Sequence, residues 1–251
     1  MAIKIKREQQ IKKMRLAGEI TGRTLNLLKD KIVPGITTFE LDKIAESYIM
    51  ECGALPSFKR YSGYPASICT SINDEVVHGI PSKDRVLKEG DIISIDVGAY
   101  IDSFHGDAAR TFAVGIVSPE KQRLIAVTEE SFFAGIKYAA AGNNLCEISS
   151  AIQDTVERNG FSVIRDYVGH GIGRNLHEDP AIPNYRNGRR GPVLKPGMVL
   201  AVEPMTAIGT HRVRVLSDGW TAVTKDGLPS AHYENTVLIT EGEPELLTLL
   251  I

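Results

Sequence analysis

"LKEGDIISID" (Leu87–Asp96) and "LKPGMVLAVE" (Leu194–Glu203) are one phrase written twice. Each opens on Leu-Lys-x-Gly, a turn signal, continues as a largely apolar strand, and ends on a carboxylate, Asp96 or Glu203. The offset that carries Leu87 to Leu194 also governs the residues before them. Thr37 with Glu40 three residues on forms a capping box at the head of "TTFELDKIAESYIMECG", and Asn144 with Glu147 does so for "NLCEISSAIQDTVERNG". Gly35 and Gly142 precede the two caps, Leu41 and Ile148 share a place within, and Gly53 and Gly160 stop both helices. Further on, with an added gap in the second copy, "HGD" (His105–Asp107) aligns with "HYE" (His232–Glu234). One offset across three landmarks predicts two copies of a unit, a helix followed by strands, at roughly 35–112 and 142–240. Such a period is too long for a solenoid. Ahead of both, residues 8–29 carry Ile11, Met14, Ala17, Ile20 and Leu28 on one helical face.

The duplication has a chemical consequence. If the halves pack about a pseudo-two-fold axis, Asp96, Asp107, Glu203 and Glu234 converge at the centre. Asp96 in "SIDVG" and Glu203 in "AVEPM" are flanked by apolar residues, and all four acids lie in strand-like segments. Acids are depleted in strands and rarely buried without a partner. Each alone would be read as a strand-end salt bridge with Lys or Arg. Together they would repel one another and take up protons, unless divalent cations neutralised them. The pairing by repeat therefore points to metal.

A nitrogen ligand is offered by "VGHGIGRNLHEDP" (Val168–Pro180), which holds two of the chain's six histidines, His170 and His177. The "HE" at His177 is not an HExxH zinc helix, because Pro180 breaks the helix and position 181 is Ala. The three glycines are not a dinucleotide fingerprint, because Pro180 and Pro183 forbid the helix that must follow. A bland glycine turn with a hydrogen-bonded His is what remains for "GHG" in isolation. Beside four converging acids, His170 becomes a ligand held on glycine turns that allow close backbone approach. Four oxygen donors and one nitrogen suit a dinuclear site and favour harder ions such as Mn²⁺ or Fe²⁺.

The bulk composition excludes other classes. The chain has 251 residues, 43% hydrophobic and 24% charged, with a formal net charge of -2, so no basic surface marks a nucleic-acid or membrane binder. No apolar run approaches a membrane span, and the charged N-terminus lacks a signal-peptide core. Cys52, Cys69 and Cys146 form no CxxC pair, which is the usage of a reduced, cytoplasmic protein.

The segments "NDEVVHGIP", "DIISIDVGAYIDSFHGDAARTF", "GHGIGRNLHEDP", "GMVLAVEP" and "HYENTVLIT" carry a specific resemblance. Over essentially its whole length the chain resembles the type I methionine aminopeptidases of the bacterial kind. The resemblance implies the α/β (α+β) pita-bread fold: two pseudo-symmetric halves with helices outside a curved, mostly antiparallel sheet, as one catalytic domain over 1–251. It implies two divalent ions, of Mn, Fe, Co, Zn or Ni, on Asp96, Asp107, His170, Glu203 and Glu234, with Asp107 and Glu234 bridging. It gives Glu203 the role of general base and then acid. His78 and His177 become the non-ligand histidines that contact substrate and the tetrahedral intermediate. Tyr61, Tyr64, Cys69 and Trp220 would line a methionine pocket. One residue departs: the family usually has Phe just before the second histidine, and here it is Leu176.

The expected activity is removal of the N-terminal methionine, preferentially before a small second residue, by two-metal hydrolysis. The expected partners are nascent polypeptide N-termini, with the ribosome as a further contact, and the expected state is a monomer. The resemblance is to the short bacterial form, for which no N-terminal extension is expected ahead of the unit, unlike the related proline-specific peptidases and creatinase-like hydrolases. A non-catalytic binding protein on the same fold would have lost ligands, and all five stand in this sequence.

Overall fold

The computed structural model describes residues 2–249. Four helices form where the capping and periodicity place them: α1 Glu8–Lys29, α2 Thr38–Glu51, α3 Pro119–Ile136 and α4 Leu145–Arg158. In the first half the strands are β1 Leu55–Pro56, β2 Ile68–Ile72, β3 Glu75–Val77, β4 Ile92–Ile101 and β5 Phe104–Ala113. The second half begins with β6 Ser162–Val163, β7 Gly169–Gly171, β8 Glu178–Ile182, β9 Val199–Val202 and β10 Met205–Ala207. It continues with β11 Val213–Val215, β12 Ala222–Thr224, β13 Ser230–His232, β14 Asn235–Leu238 and β15 Glu245–Leu246.

The repeat is structural. The offset that relates the two Leu-Lys-x-Gly phrases carries both bounds of α2 onto those of α4, both bounds of β1 onto β6, and the start of β4 onto the start of β9. Even the isolated bridges correspond, Thr37 with Val86 and Asn144 with Val193. Both capping boxes close on the cap's own N–H: Thr37 donates to Glu40 (2.8 Å) and Asn144 to Glu147 (3.2 Å). α1 also has its counterpart in α3, which the sequence reading did not name. Its signal is Ser118 as N-cap, donated to by the Lys121 N–H, with Pro119 in the first turn.

Every strand pairing among the described residues is antiparallel. β4 is the centre of the first sheet, between β5 and the β2 and β1 segments; β9 lies between β14 and β7 in the second. Each half buries its outer face under its own helices. Leu25, Leu28, Leu41, Ala45 and Ile49 cover Ile93, Ile95 and Val97 in one; Leu124, Phe132, Ile148 and Ile152 cover Leu200, Val202 and Val237 in the other. No described helix is long and apolar enough to cross a membrane.

Two threonines join the halves at the centre. The Thr236 hydroxyl accepts from the Asp107 N–H (2.9 Å) and donates to the Asp107 carbonyl (2.8 Å). The Thr111 hydroxyl does the same for His232, at 2.8 and 2.9 Å. Between these two exchanges the Glu234 N–H donates to the Ala109 carbonyl (2.9 Å). β5 and the 232–236 segment therefore run side by side with hydroxyls inserted at both ends of the seam. That seam sets Asp107 and Glu234 face to face.

Candidate metal centre and pocket

The four acids arrive in two ways. Asp96 and Asp107 sit inside the unbroken strands β4 and β5, where Gly98 pairs with Asp107 and Ala109 with Asp96. Glu203 and Glu234 were expected within strands, but they occupy the breaks between β9 and β10 and between β13 and β14. The first break has a cause in Pro204, which has no N–H to continue a ladder. The Asn184 amide fastens the backbone there, donating to the Glu203 carbonyl at 3.0 Å.

His170 corrects the sequence reading in one respect. It lies on β7, a paired strand, and not on a flexible glycine turn. The glycines do serve close approach: a Cβ on Gly169 would stand 2.4 Å from the Ala201 carbonyl oxygen, and one on Gly171 would stand 2.2 Å from that of Asp179. His170 Nδ1–H donates to the Gly171 carbonyl at 3.0 Å, which leaves Nε2 as the lone-pair nitrogen. That Nε2 faces Asp107 Oδ2 at 3.8 Å and Glu203 Oε1 at 3.6 Å.

The donor set fits divalent cations. Asp107, His170 and Glu234 offer ligand atoms within 4.8 Å of one another. Asp96 Oδ1, Asp107 Oδ1 and Glu234 Oε1 are buried without a hydrogen-bond partner. None of the four acids makes a salt bridge to Lys or Arg among the described residues, which disposes of the salt-bridge alternative. Burial, opposed by bonds from Asp107 and the Val97 N–H, leaves Asp96 pushed up to about 7. Burial, then the neighbouring carboxylates, hold Asp107, Glu203 and Glu234 well above the ordinary range. Without cations the cluster therefore takes up protons. The histidines go the other way: burial, then His177 nearby, pushes His170 down to about 3 and His78 to about 4. Both are neutral, and His170 is free to ligate.

A cavity of about 300 Å³ opens onto the acids. Its polar floor is the five candidate ligands, with no Lys or Arg in the lining. Tyr61, Tyr64, Cys69, Leu176 and Trp220, all named from sequence, form its walls, and Phe58 and Ser62 join them. Tyr64 meets Trp220 edge to face, centroids 5.1 Å apart. His78 and His177 face the cavity from opposite halves. His78 stands on a left-handed backbone (φ 61) between Trp220 and Tyr167, its ring edge-on to both. His177 packs edge-on to His170 at 4.2 Å, and its Nδ1 lies 2.8 Å from the Tyr61 hydroxyl. Phe58 and Tyr167 escaped the sequence reading, since an isolated aromatic in a loop carries no periodic signal. His232 escaped it as well: only its place in "HYE" singled it out, and it lies fully buried beside Glu203 and Glu234.

Buried carboxylates on a duplicated antiparallel frame, open to a small aromatic cavity, define a metal-dependent hydrolase. The sequence profile of metallopeptidase family M24 matches residues 12–241, and the chain belongs to that family. It is 58% identical over 245 residues to a methionine aminopeptidase of Clostridium acetobutylicum, covering 98% of each chain. It is 54% identical to methionine aminopeptidase 1 of Bacillus subtilis, covering 94% of each. The crystal structure of a methionine aminopeptidase from Thermotoga maritima superposes with a TM-score of 0.97 at 47% identity, covering 99% of this chain and 100% of that one. Within the family the chain stands with the methionine aminopeptidases: it is a divalent-metal exopeptidase that removes N-terminal methionine.

Proposed function

We propose that Asp96, Asp107, His170, Glu203 and Glu234 hold two divalent ions, with Asp107 and Glu234 bridging, and that the aromatic cavity beside them receives the methionine side chain. The observation that carries this is a set of buried carboxylates with unpartnered oxygens and, among the described residues, no salt bridge to Lys or Arg, faced by a lone-pair imidazole. When bound, the ions supply Lewis acidity and a nucleophile at neutral pH, as in two-metal aminopeptidases generally.

The protein's own groups do the rest. Glu203 takes the proton from the attacking water and delivers it to the leaving nitrogen. Burial holds the Tyr61 hydroxyl protonated and lowers the proton affinity of His177. With the Tyr61 O–H donating to Nδ1, His177 presents Nε2–H as a donor to the developing oxyanion. His78 hydrogen-bonds the leaving amide from the opposite wall. Tyr64, Cys69, Leu176 and Trp220 select methionine by shape and by contact with its sulfur. A cavity this small favours a small second residue.

The substrates in this reading are nascent polypeptide N-termini, met at the ribosome. Both halves complete one cavity, which supports a single catalytic domain over 1–251 acting as a monomer. Three unpaired cysteines support the cytoplasm as its compartment. The test is elemental analysis of protein purified without chelators, with turnover of Met-Ala and Xaa-Pro peptides. Two metal equivalents and Met-Ala cleavage are expected. One metal or none, or preferential Xaa-Pro cleavage, would overturn the reading.

A further inference from the structure

The repeat's two H-x-acid histidines have different fates. In the first half His105 Nδ1 is bonded to the Ser57 hydroxyl at 2.9 Å, and its ring stacks at a tilt on Tyr100, 4.5 Å away. It is occupied. In the second half His232 is 2% exposed, and its Nε2 has no hydrogen-bond partner. A buried imidazole nitrogen left unsatisfied is costly, and in a native protein it marks a missing partner.

The surroundings of that nitrogen identify the partner. His232 Nε2 faces Glu203 Oε2 at 3.8 Å and Glu234 Oε2 at 3.9 Å. His170 Nε2 faces Asp107 Oδ2 at 3.8 Å and Glu203 Oε1 at 3.6 Å. The two imidazoles thus stand in matching relations to the carboxylates, one on each oxygen of Glu203. All four separations are too long for a hydrogen bond and leave space for a cation between nitrogen and oxygen. The Thr111 hydroxyl holds the His232 backbone from both its N–H and its carbonyl, so the ring is carried on a fixed strand end.

From this we infer that His232 is a sixth ligand, giving each of the two ions one imidazole nitrogen. The inference rests on the dinuclear reading above. With a nitrogen on both ions, the site accepts Zn²⁺, Co²⁺, Ni²⁺ and Fe²⁺ more readily than an oxygen-only second position would, and discriminates more against Mn²⁺. Loss of the imidazole weakens one site and spares the other.

The experiment is ¹⁵N NMR of the full chain labelled at histidine, metal-free and then titrated with zinc alone. With two zinc ions bound, the Nε2 resonances of His170 and His232 both move to the metal-bound range, and His232→Gln and His170→Gln each remove one of the two. Calorimetry on His232→Gln shows one zinc site unchanged and the other at least about tenfold weaker, the low end of what even outer partners of a metal site contribute. Should two zinc ions bind while only the His170 resonance moves, His232 is no ligand and the dinuclear reading stands. Should wild type bind fewer than two, that reading fails and this one with it. The wild-type spectrum decides the matter even if a variant folds poorly.

Discussion

In the N-terminal half β4 and β5 run unbroken straight through Asp96 and Asp107; in the C-terminal half β9 stops at Val202 and Glu234 sits in the gap before β14. The frame is common, as the matched helices, caps and bridges show, but the flanking strand carries different chemistry. β2 pairs with β4 so that Ser71 lies opposite Ser94; β7 pairs with β9 so that His170 lies opposite Ala201, the residue equivalent to Ser94 in the repeat. In equivalent places one half therefore has an imidazole facing the carboxylates and the other a buried hydroxyl. Ser71 uses its oxygen to accept the Gly79 N–H at 3.2 Å, and so pins the strained turn that holds His78. On the proposed reading, the duplicated frame supplies the carboxylates and one strand position separates metal ligation from substrate contact.

The largest effect is expected where each half supplies a carboxylate to the shared centre. Asp107→Ala and Glu234→Ala should each take Met-peptide turnover below detection and lower bound metal beneath the wild-type stoichiometry. Each removes a carboxylate facing the other across the threonine seam. Elemental analysis beside turnover reads both. If one variant keeps its full metal and the other does not, the two acids are not equivalent bridges, and the symmetry argued from the seam is broken.

Next come the two cavity histidines, one from each half. His177→Ala and His78→Ala should retain metal while kcat falls about 10²–10³-fold with little change in KM, the usual loss for a donor engaged only in the transition state. Metal loss in His177→Ala would show that a ligand has been mistaken for a donor. A milder effect belongs to Ser71→Ala. It leaves the Gly79 N–H unsatisfied, which costs about 1–3 kcal/mol of stability. Through the slackened His78 turn, kcat should fall by roughly tenfold on the same energy scale, with metal content intact. An unaltered kcat would mean that the turn is held without Ser71.

Much of this was legible in the chain itself, for a physical reason. Caps, turn glycines and apolar strands are local, and a duplication prints them twice, so "LKEGDIISID" and "LKPGMVLAVE" could be read against each other. The acids at their ends were conspicuous because carboxylates in apolar strands demand a partner. The seam was not legible. Thr111 and His232 lie far apart in the chain, and nothing local distinguishes a threonine that replaces a backbone partner from one that faces solvent. The broken strands were missed because Glu203 and Glu234 keep strand-like neighbours on both sides. His232 was noted only as half of a motif, since its burial and its empty nitrogen exist only once the halves meet.

The smallest expected effect tests the pocket, whose walls draw on residues of both halves. Leu176 comes from the second half and Cys69 from the first, and both line the cavity. Leu176 is 2% exposed and packs with Phe58, Tyr64 and Trp220, in the place where the resemblance leads one to expect Phe. Leucine keeps the wall apolar and omits a ring that could touch the methionine sulfur, a contact worth roughly 0.3–1.5 kcal/mol. Methionine selection should survive on the remaining walls. In Leu176→Phe the kcat/KM ratio of Met over norleucine peptides should rise, by about tenfold at most on that estimate. The larger ring must also be packed, and overfilling a tight core commonly costs about 1–3 kcal/mol, so Tm is read alongside. A ratio that stays put in a stably folded variant means that residue 176 does not reach the sulfur, and that Tyr64, Cys69 and Trp220 suffice to recognise it. A wild type that prefers Leu at the N-terminus would instead show that this cavity is not the methionine pocket.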